Sequence, residues 1–252
     1  MSEQQVVAPA AEAASLSQLE RVGNTFTAPS TTFAEIQGGK KSWWLPFVIL
    51  SVVSYILFAA ITAKVGWQQV AENATNQNPK TAERMAKLPA EQREAGIKMT
   101  ATIMQGSFIA SPAIVLLSNV IVAAVLLATI NFVFGGKANF GAVFAVSMYA
   151  WLPSAIKSLL GAVVVYFTVP ESFNINVLAP TNLAAFLNPA ETNAALYKLL
   201  TALDVTTIWT LVLLSIGLAT VAGVKRNLGY IAVFGWWALI TLAGVGSAAI
   251  FG

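Results

Sequence analysis

The chain contains no cysteine and no histidine, and only 10% of its residues are charged. Without cysteine there is no disulfide and no thiolate nucleophile. Without histidine there is no imidazole base, and the pair of absences removes the usual ligands of zinc. Paired acidic residues suited to acid–base work are missing from the apolar stretches. The run Gly38-Gly39-Lys40-Lys41-Ser42 has the end of a phosphate-binding loop but not the glycine that should precede it or the strand before it. The net charge of +3 is too small and too dispersed to serve a nucleic-acid partner. No catalytic residue, cofactor or metal site is therefore expected.

Scarcity of charge also fixes the solvent. Soluble domains carry about 25% charged residues, whereas 57% of this chain is hydrophobic. Water cannot accommodate that surface, but lipid can. Five apolar runs are long enough to cross a hydrocarbon core of about 30 Å at about 1.5 Å per residue. They lie near 43–65, 108–134, 140–169, 205–224 and 229–251. The expected fold class is all-α: a polytopic integral membrane protein of five transmembrane helices with short extramembrane helices. Its first partner is the lipid bilayer.

Residues 1–25 are polar and Ala/Gln/Glu-rich and read as a disordered tail, with no basic region leading into an apolar one as in a cleaved signal peptide. From Phe26 to Ser42 the pattern changes. Pro29 suits a first helical position, Phe33 and Ile36 form an apolar pair, and Gly38-Gly39 closes the turn. This predicts an amphipathic segment on the membrane surface, with Lys40 and Lys41 at the phosphates. Trp43 and Trp44 at one end of the first span, and Trp67 beyond the other, are expected as interfacial anchors. The polar interval 66–106 has helix starts at Asn78-Pro79 and Leu88-Pro89 and is expected to form an extramembrane helical insert. Short links at 135–139 and 225–228 make two tight helical hairpins.

Several polar residues fall inside the apolar runs. Lysine at a helix centre costs about 2.5–3.5 kcal/mol on insertion scales, so Lys157 must pair, line a wet cavity or snorkel. Asp204 is the candidate partner for an intramembrane ion pair, and capping of the fourth helix in water is its alternative role. Asn119 and Asn131 are candidates for interhelical hydrogen bonds rather than ligand binding. Pro112 and Pro153 should kink the second and third spans. Basic residues do not settle orientation: six fall on one side and seven on the other, with Lys157 apart. Lys40-Lys41 beside the first span and Lys225-Arg226 in a short loop favour a cytoplasmic amino terminus.

Four ordered stretches carry a resemblance. They are Phe26-Thr27-Ala28-Pro29 with Phe33, Ile36, Trp43 and Pro46; Asn131-Phe132 with Gly135-Gly136 and Phe140; Tyr149-Ala150-Trp151-Leu152-Pro153; and Leu203-Asp204 with Ile208-Trp209 and Gly217-Leu218. In this set the chain resembles the Yip family of Ypt/Rab-interacting-protein-like membrane proteins, and its Cys-free, Ala-rich composition resembles that of bacterial members. The resemblance implies five membrane helices, a cytosolic amino terminus and a non-enzymatic scaffold or adaptor that meets a membrane or peripheral protein partner. In eukaryotic relatives that means vesicle trafficking and small GTPases. The competing reading from the residues is a small transporter or channel component with a polar path near Lys157. For a bacterial member the location would be the cytoplasmic membrane.

Overall fold

The computed structural model describes residues 16–251. Among them the fold is helical, with five helices long and apolar enough to span a bilayer: Trp44–Lys64, Ser111–Val133, Phe140–Phe167, Val205–Ala222 and Arg226–Ile250. The apolar runs of the sequence mark all five to within a few residues, because burial in lipid is a property of each segment by itself.

In chain order, α1 (Gln18–Thr27) and α2 (Pro29–Gln37) form a short hairpin. The first span is α3 (Trp44–Lys64), followed by α4 (Trp67–Asn76), α5 (Pro79–Ala86) and α6 (Ala90–Ile109). The second span is α7 (Ser111–Ala128), continued by a π-turn over Thr129–Val133. The third is divided into α8 (Phe140–Ala150) and α9 (Leu152–Phe167). After a capping segment comes α10 (Ala194–Ala202), then the fourth and fifth spans α11 (Val205–Ala222) and α12 (Arg226–Phe251). The end of the bundle bearing α1, α2 and the two short links is called proximal, and the other end distal.

Helix α11 is the hub. It packs on α2, α8, α9 and α12, and its window is 61% buried, against 17% for α12 and 22% for α7. Small residues permit this crowding. A Cβ added at Gly229 would strike the Ser215 carbonyl and Ala219 on α11. One at Gly217 would strike Val146 of α8 and lie 3.1 Å from the Phe33 ring of α2.

The amino-terminal region differs from the sequence reading. The expected tail over 1–25 gives way to helix from Gln18, while residues 1–15 lie outside the described residues. The local cause is a capping box: Ser17 accepts from the Glu20 amide at 3.2 Å, and its own amide donates to the Glu20 carboxylate at 2.7 Å. The 26–42 segment is likewise not a surface helix with its apolar face in lipid. Phe33 and Ile36 are fully buried in the protein core. Phe26 meets Trp209 edge-on at 5.4 Å, and Phe33 meets Gly217. Phe26 ends α1 and Phe33 belongs to α2, so the turn between the two helices and α2 itself lie against α11. A groove between α8 and α11 offers Phe33 and Ile36 a drier site than headgroups do.

At the distal end the chain turns back at Gly66, whose φ of +80° suits glycine. Helix α4 then packs on α6. Asn73 ties α4 to the capping segment by donating to the Pro170 and Phe173 carbonyls at 2.7 and 2.9 Å. Asn78 caps α5 by accepting from the Thr81 amide at 2.9 Å.

The two prolines act differently. Pro153 follows a break at Trp151 inside the third span. Pro112 does not kink the second span; it sits in the first turn of α7, just after the break at Ala110 that separates α6 from α7. Proline is tolerated there because a first-turn amide has no intrahelical acceptor to lose.

Candidate functional site

Lys157 lies in α9, and Asp204 is the N-cap of α11. The fold brings them together: Lys157 Nζ donates to Asp204 Oδ2 at 2.9 Å, with the carboxylate 1% and the lysine side chain 22% exposed. The same Oδ2 accepts from Thr181 Oγ1 at 2.5 Å and Asn182 Nδ2 at 3.2 Å. Oδ1 accepts from the Thr206 and Thr207 amides at 3.0 and 3.1 Å, and from Thr206 Oγ1 at 2.5 Å. A backbone bridge pairs Asn182 with Asp204, and the Val205 amide donates to the Thr181 carbonyl at 2.9 Å. One carboxylate thus caps α11, neutralises the ammonium of α9 and fixes the 181–182 segment. Burial opposes ionisation here, and the donors on both oxygens favour the charged form.

Depth explains why the pairing matters. Phe144 rests on Trp43 at the proximal end, with ring centroids 5.1 Å apart. Lys157 is about 20 Å of helix beyond Phe144 and about 15 Å short of the distal end of α9. It therefore sits part-way along the third span and level with the distal end of the fourth, where an ammonium among packed helices needs a partner.

Beside the pair is a groove of about 600 Å³ on the flank of the bundle. Its floor is α11, and its walls are α7 and α12, with Lys157 at one end. The walls converge where Trp236 Nε1 donates to Thr129 Oγ1 at 2.9 Å. Aliphatic side chains and Trp151, Trp236 and Trp237 make up most of the lining, while Thr207 and Thr210 add hydroxyls near Lys157.

A second buried cation sits at the proximal end. Arg21 is 4% exposed. Its Nη1 donates to the Lys40 carbonyl at 2.5 Å, and its guanidinium carbon lies 5.7 Å from the centre of the Tyr149 ring. Its own carbonyl accepts from Thr25 and Thr32 at 2.7 and 3.0 Å. Sequence reading missed Arg21 by assigning it to a tail; the Ser17–Glu20 spacing was the available signal. It also missed Thr181 and Asn182, for which no periodic signal exists.

The remaining polar and aromatic candidates divide. Asn119 is buried and bridges helices, donating from Nδ2 to the Phe144 carbonyl of α8 at 3.2 Å. Asn131 does not bridge helices. It staples its own loop, donating to the Ala138 carbonyl at 2.9 Å and accepting from the Ala138 amide at 3.0 Å. The loop's extended backbone leaves those two groups free, and Asn131 is the nearest amide.

Trp44 is exposed, as an anchor would be. Trp43 is instead half-buried against Phe47 and Phe144. Trp67 is not an outward anchor: it is 6% exposed, stacked between Phe58 and Phe108 at 5.5 and 5.0 Å, and donates to Thr62 Oγ1 at 2.9 Å. The reversal at Gly66 folds its ring inward.

No curated protein and no solved structure is significantly similar to the chain. The family model described as the Yip1 domain matches residues 23–248. That range contains both hairpins, the Lys157–Asp204 centre and the docked α2, so this five-span integral membrane protein belongs to the Yip1 domain family.

Proposed function

We propose that the protein is a non-enzymatic membrane scaffold or adaptor. The observation that carries this reading is that the Lys157 and Asp204 charges are spent on holding the fold together. Asp204 binds α9, α11 and the 181–182 segment at once. The groove beside Lys157 is apolar and opens on the bundle's flank, where an aqueous path would need continuous polar lining. A transporter would leave such charges available to a substrate.

The surface for a partner is the α5–α6 region, where Glu83, Arg84, Lys87, Arg93 and Glu94 are exposed. Its chemistry suits a membrane or peripheral protein with mixed charge. Lys40, Lys41, Lys137, Lys225 and Arg226 all cluster at the proximal end beside short loops. That supports a cytoplasmic amino terminus, and bacterial-type composition supports the cytoplasmic membrane. On this reading α5 and α6 face away from the cytoplasm.

Cross-linking in native membranes followed by affinity capture tests the reading. A stable protein partner lost on charge reversal of Arg84 and Arg93 is expected. Ion flux through liposomes of the pure protein, abolished by Lys157→Met, would overturn it.

A further inference from the structure

Among the described residues, the flank groove at Lys157 combines a concave apolar shape with donors that the fold does not exhaust. Asp204 takes one of the three N–H groups of the ammonium, and the lysine side chain stays partly exposed as part of the groove lining. Further acceptors are therefore needed at that end. The Thr207 and Thr210 hydroxyls lie on the same floor.

Three properties select the occupant. The Lys157–Asp204 pair is already neutral and no other charged side chain lines the groove, so an anion would bring an uncompensated charge into an apolar site. The ammonium has N–H groups to donate beyond the one Asp204 takes, and the Thr207 and Thr210 hydroxyls can donate as well as accept, so the occupant carries an acceptor, of which a carbonyl is the neutral form. Apart from Lys157, already paired, the lining has no charged side chain to compensate a phospholipid headgroup. From Lys157 the groove runs along apolar residues of α7, α11 and α12, which suits a molecule that dissolves in the hydrocarbon core. The groove volume of about 600 Å³ falls among those of small-molecule sites. Trp151, Trp236 and Trp237 supply faces for a flat ring, and Ile121, Val125 and Ile240 supply a track for an aliphatic tail.

We infer that the groove binds a neutral, carbonyl-headed lipid of the bilayer core, with the chemistry of a membrane quinone. A ring carbonyl accepts from Lys157, and the tail runs between α7 and α12 toward the Trp236–Thr129 contact. This inference is independent of the scaffold reading: a scaffold without the ligand, or a ligand site without a partner, would each leave the other standing.

The test uses the full chain in phospholipid nanodiscs and a decyl-tailed azidobenzoquinone as probe. After illumination, label should concentrate on residues 121–126, 207–214 and 233–240 and be displaced by the plain decyl quinone. Val125→Trp, which fills the groove, should reduce this labelling by about tenfold or more, equivalent to about 1.4 kcal/mol of binding. Lys157→Met should weaken labelling without changing its location. Melting curves confirm that each variant is folded, and if Lys157→Met fails to fold, competition and Val125→Trp decide alone. Label spread evenly over the outer faces of α7 and α12 would overturn the inference. So would displacement by a phospholipid acyl chain alone, or a groove sealed by a second copy of the chain.

Discussion

Two cations lie inside the bundle, one toward each end, and they are satisfied by opposite means. Toward the distal side, Lys157 faces a full negative charge on Asp204, and that carboxylate is bonded on both oxygens. At the proximal end, Arg21 has only a backbone carbonyl and the face of Tyr149. In α1, α2 and α8, Gln18 Oε1, Arg21 Nε, Glu35 Oε2 and the Tyr149 hydroxyl are buried without a partner among the described residues, whereas at the Asp204 centre only Asn182 Oδ1 is. Arginine's delocalised charge tolerates partial service better than an ammonium does. The distal centre therefore binds three pieces of chain tightly, whereas the proximal hairpin is held chiefly by Phe26, Phe33 and Ile36. Unfolding should begin at the hairpin.

The largest effect that could break this contrast is loss of the carboxylate. Asp204→Ala removes the counter-ion, the α11 cap and the 181–182 anchor together and should cost about 3–5 kcal/mol, as for other broken buried pairs. Reversible unfolding in bicelles would measure it, and a loss under 1 kcal/mol would mean the centre is no more than a surface pair. Lys157→Met leaves Asp204 with its hydroxyl and amide donors. It should cost less, about 1.5–3 kcal/mol for one charge-assisted bond, and detergent melting should rank it between Asp204→Ala and wild type.

Arg21→Met sharpens the other side of the comparison. It should cost about 0.5–2 kcal/mol, the range for a cation over a ring. The loss should appear as faster tryptic cleavage at Lys40-Lys41, with unchanged hydrogen exchange in α9 and α11; uniform loosening of the whole bundle would contradict the division into two regions. The smallest effect concerns Glu20. Its hydrogen bonds to Ser17 hold its carboxyl below the ordinary glutamate value. The stabilisation is thus complete above the unfolded value of about 4.3 and is lost as pH falls through the lower folded value. Amide exchange in α1 should rise on acidification through that window in wild type but not in Glu20→Gln.

The residues show where sequence reading reaches. The ends of the five spans are legible because each depends on its own run of apolar side chains. Asp204 and Lys157 are visible as problems to be solved, since a charge beside an apolar run demands compensation. Trp67 and Phe33 show the limit. Each sits in an amphipathic setting that fits a lipid interface and a protein groove equally well, and which one it occupies depends on a distant helix. Asn131 illustrates the same ambiguity for hydrogen bonds, since a loop carbonyl and a neighbouring helix are equivalent acceptors to an amide.

By itself the sequence determined that the chain lives in lipid, crosses it five times and carries no thiol or imidazole chemistry, because composition and hydropathy act locally and add along the chain. Only the tertiary structure decided that α1 and α2 dock along α11 and that Trp67 turns inward. It alone set Lys157 against a carboxylate 47 positions away and opened a groove beside them. Those outcomes depend on which surfaces meet across the bundle, and contact between remote segments is fixed by packing in three dimensions rather than by any residue's own preference.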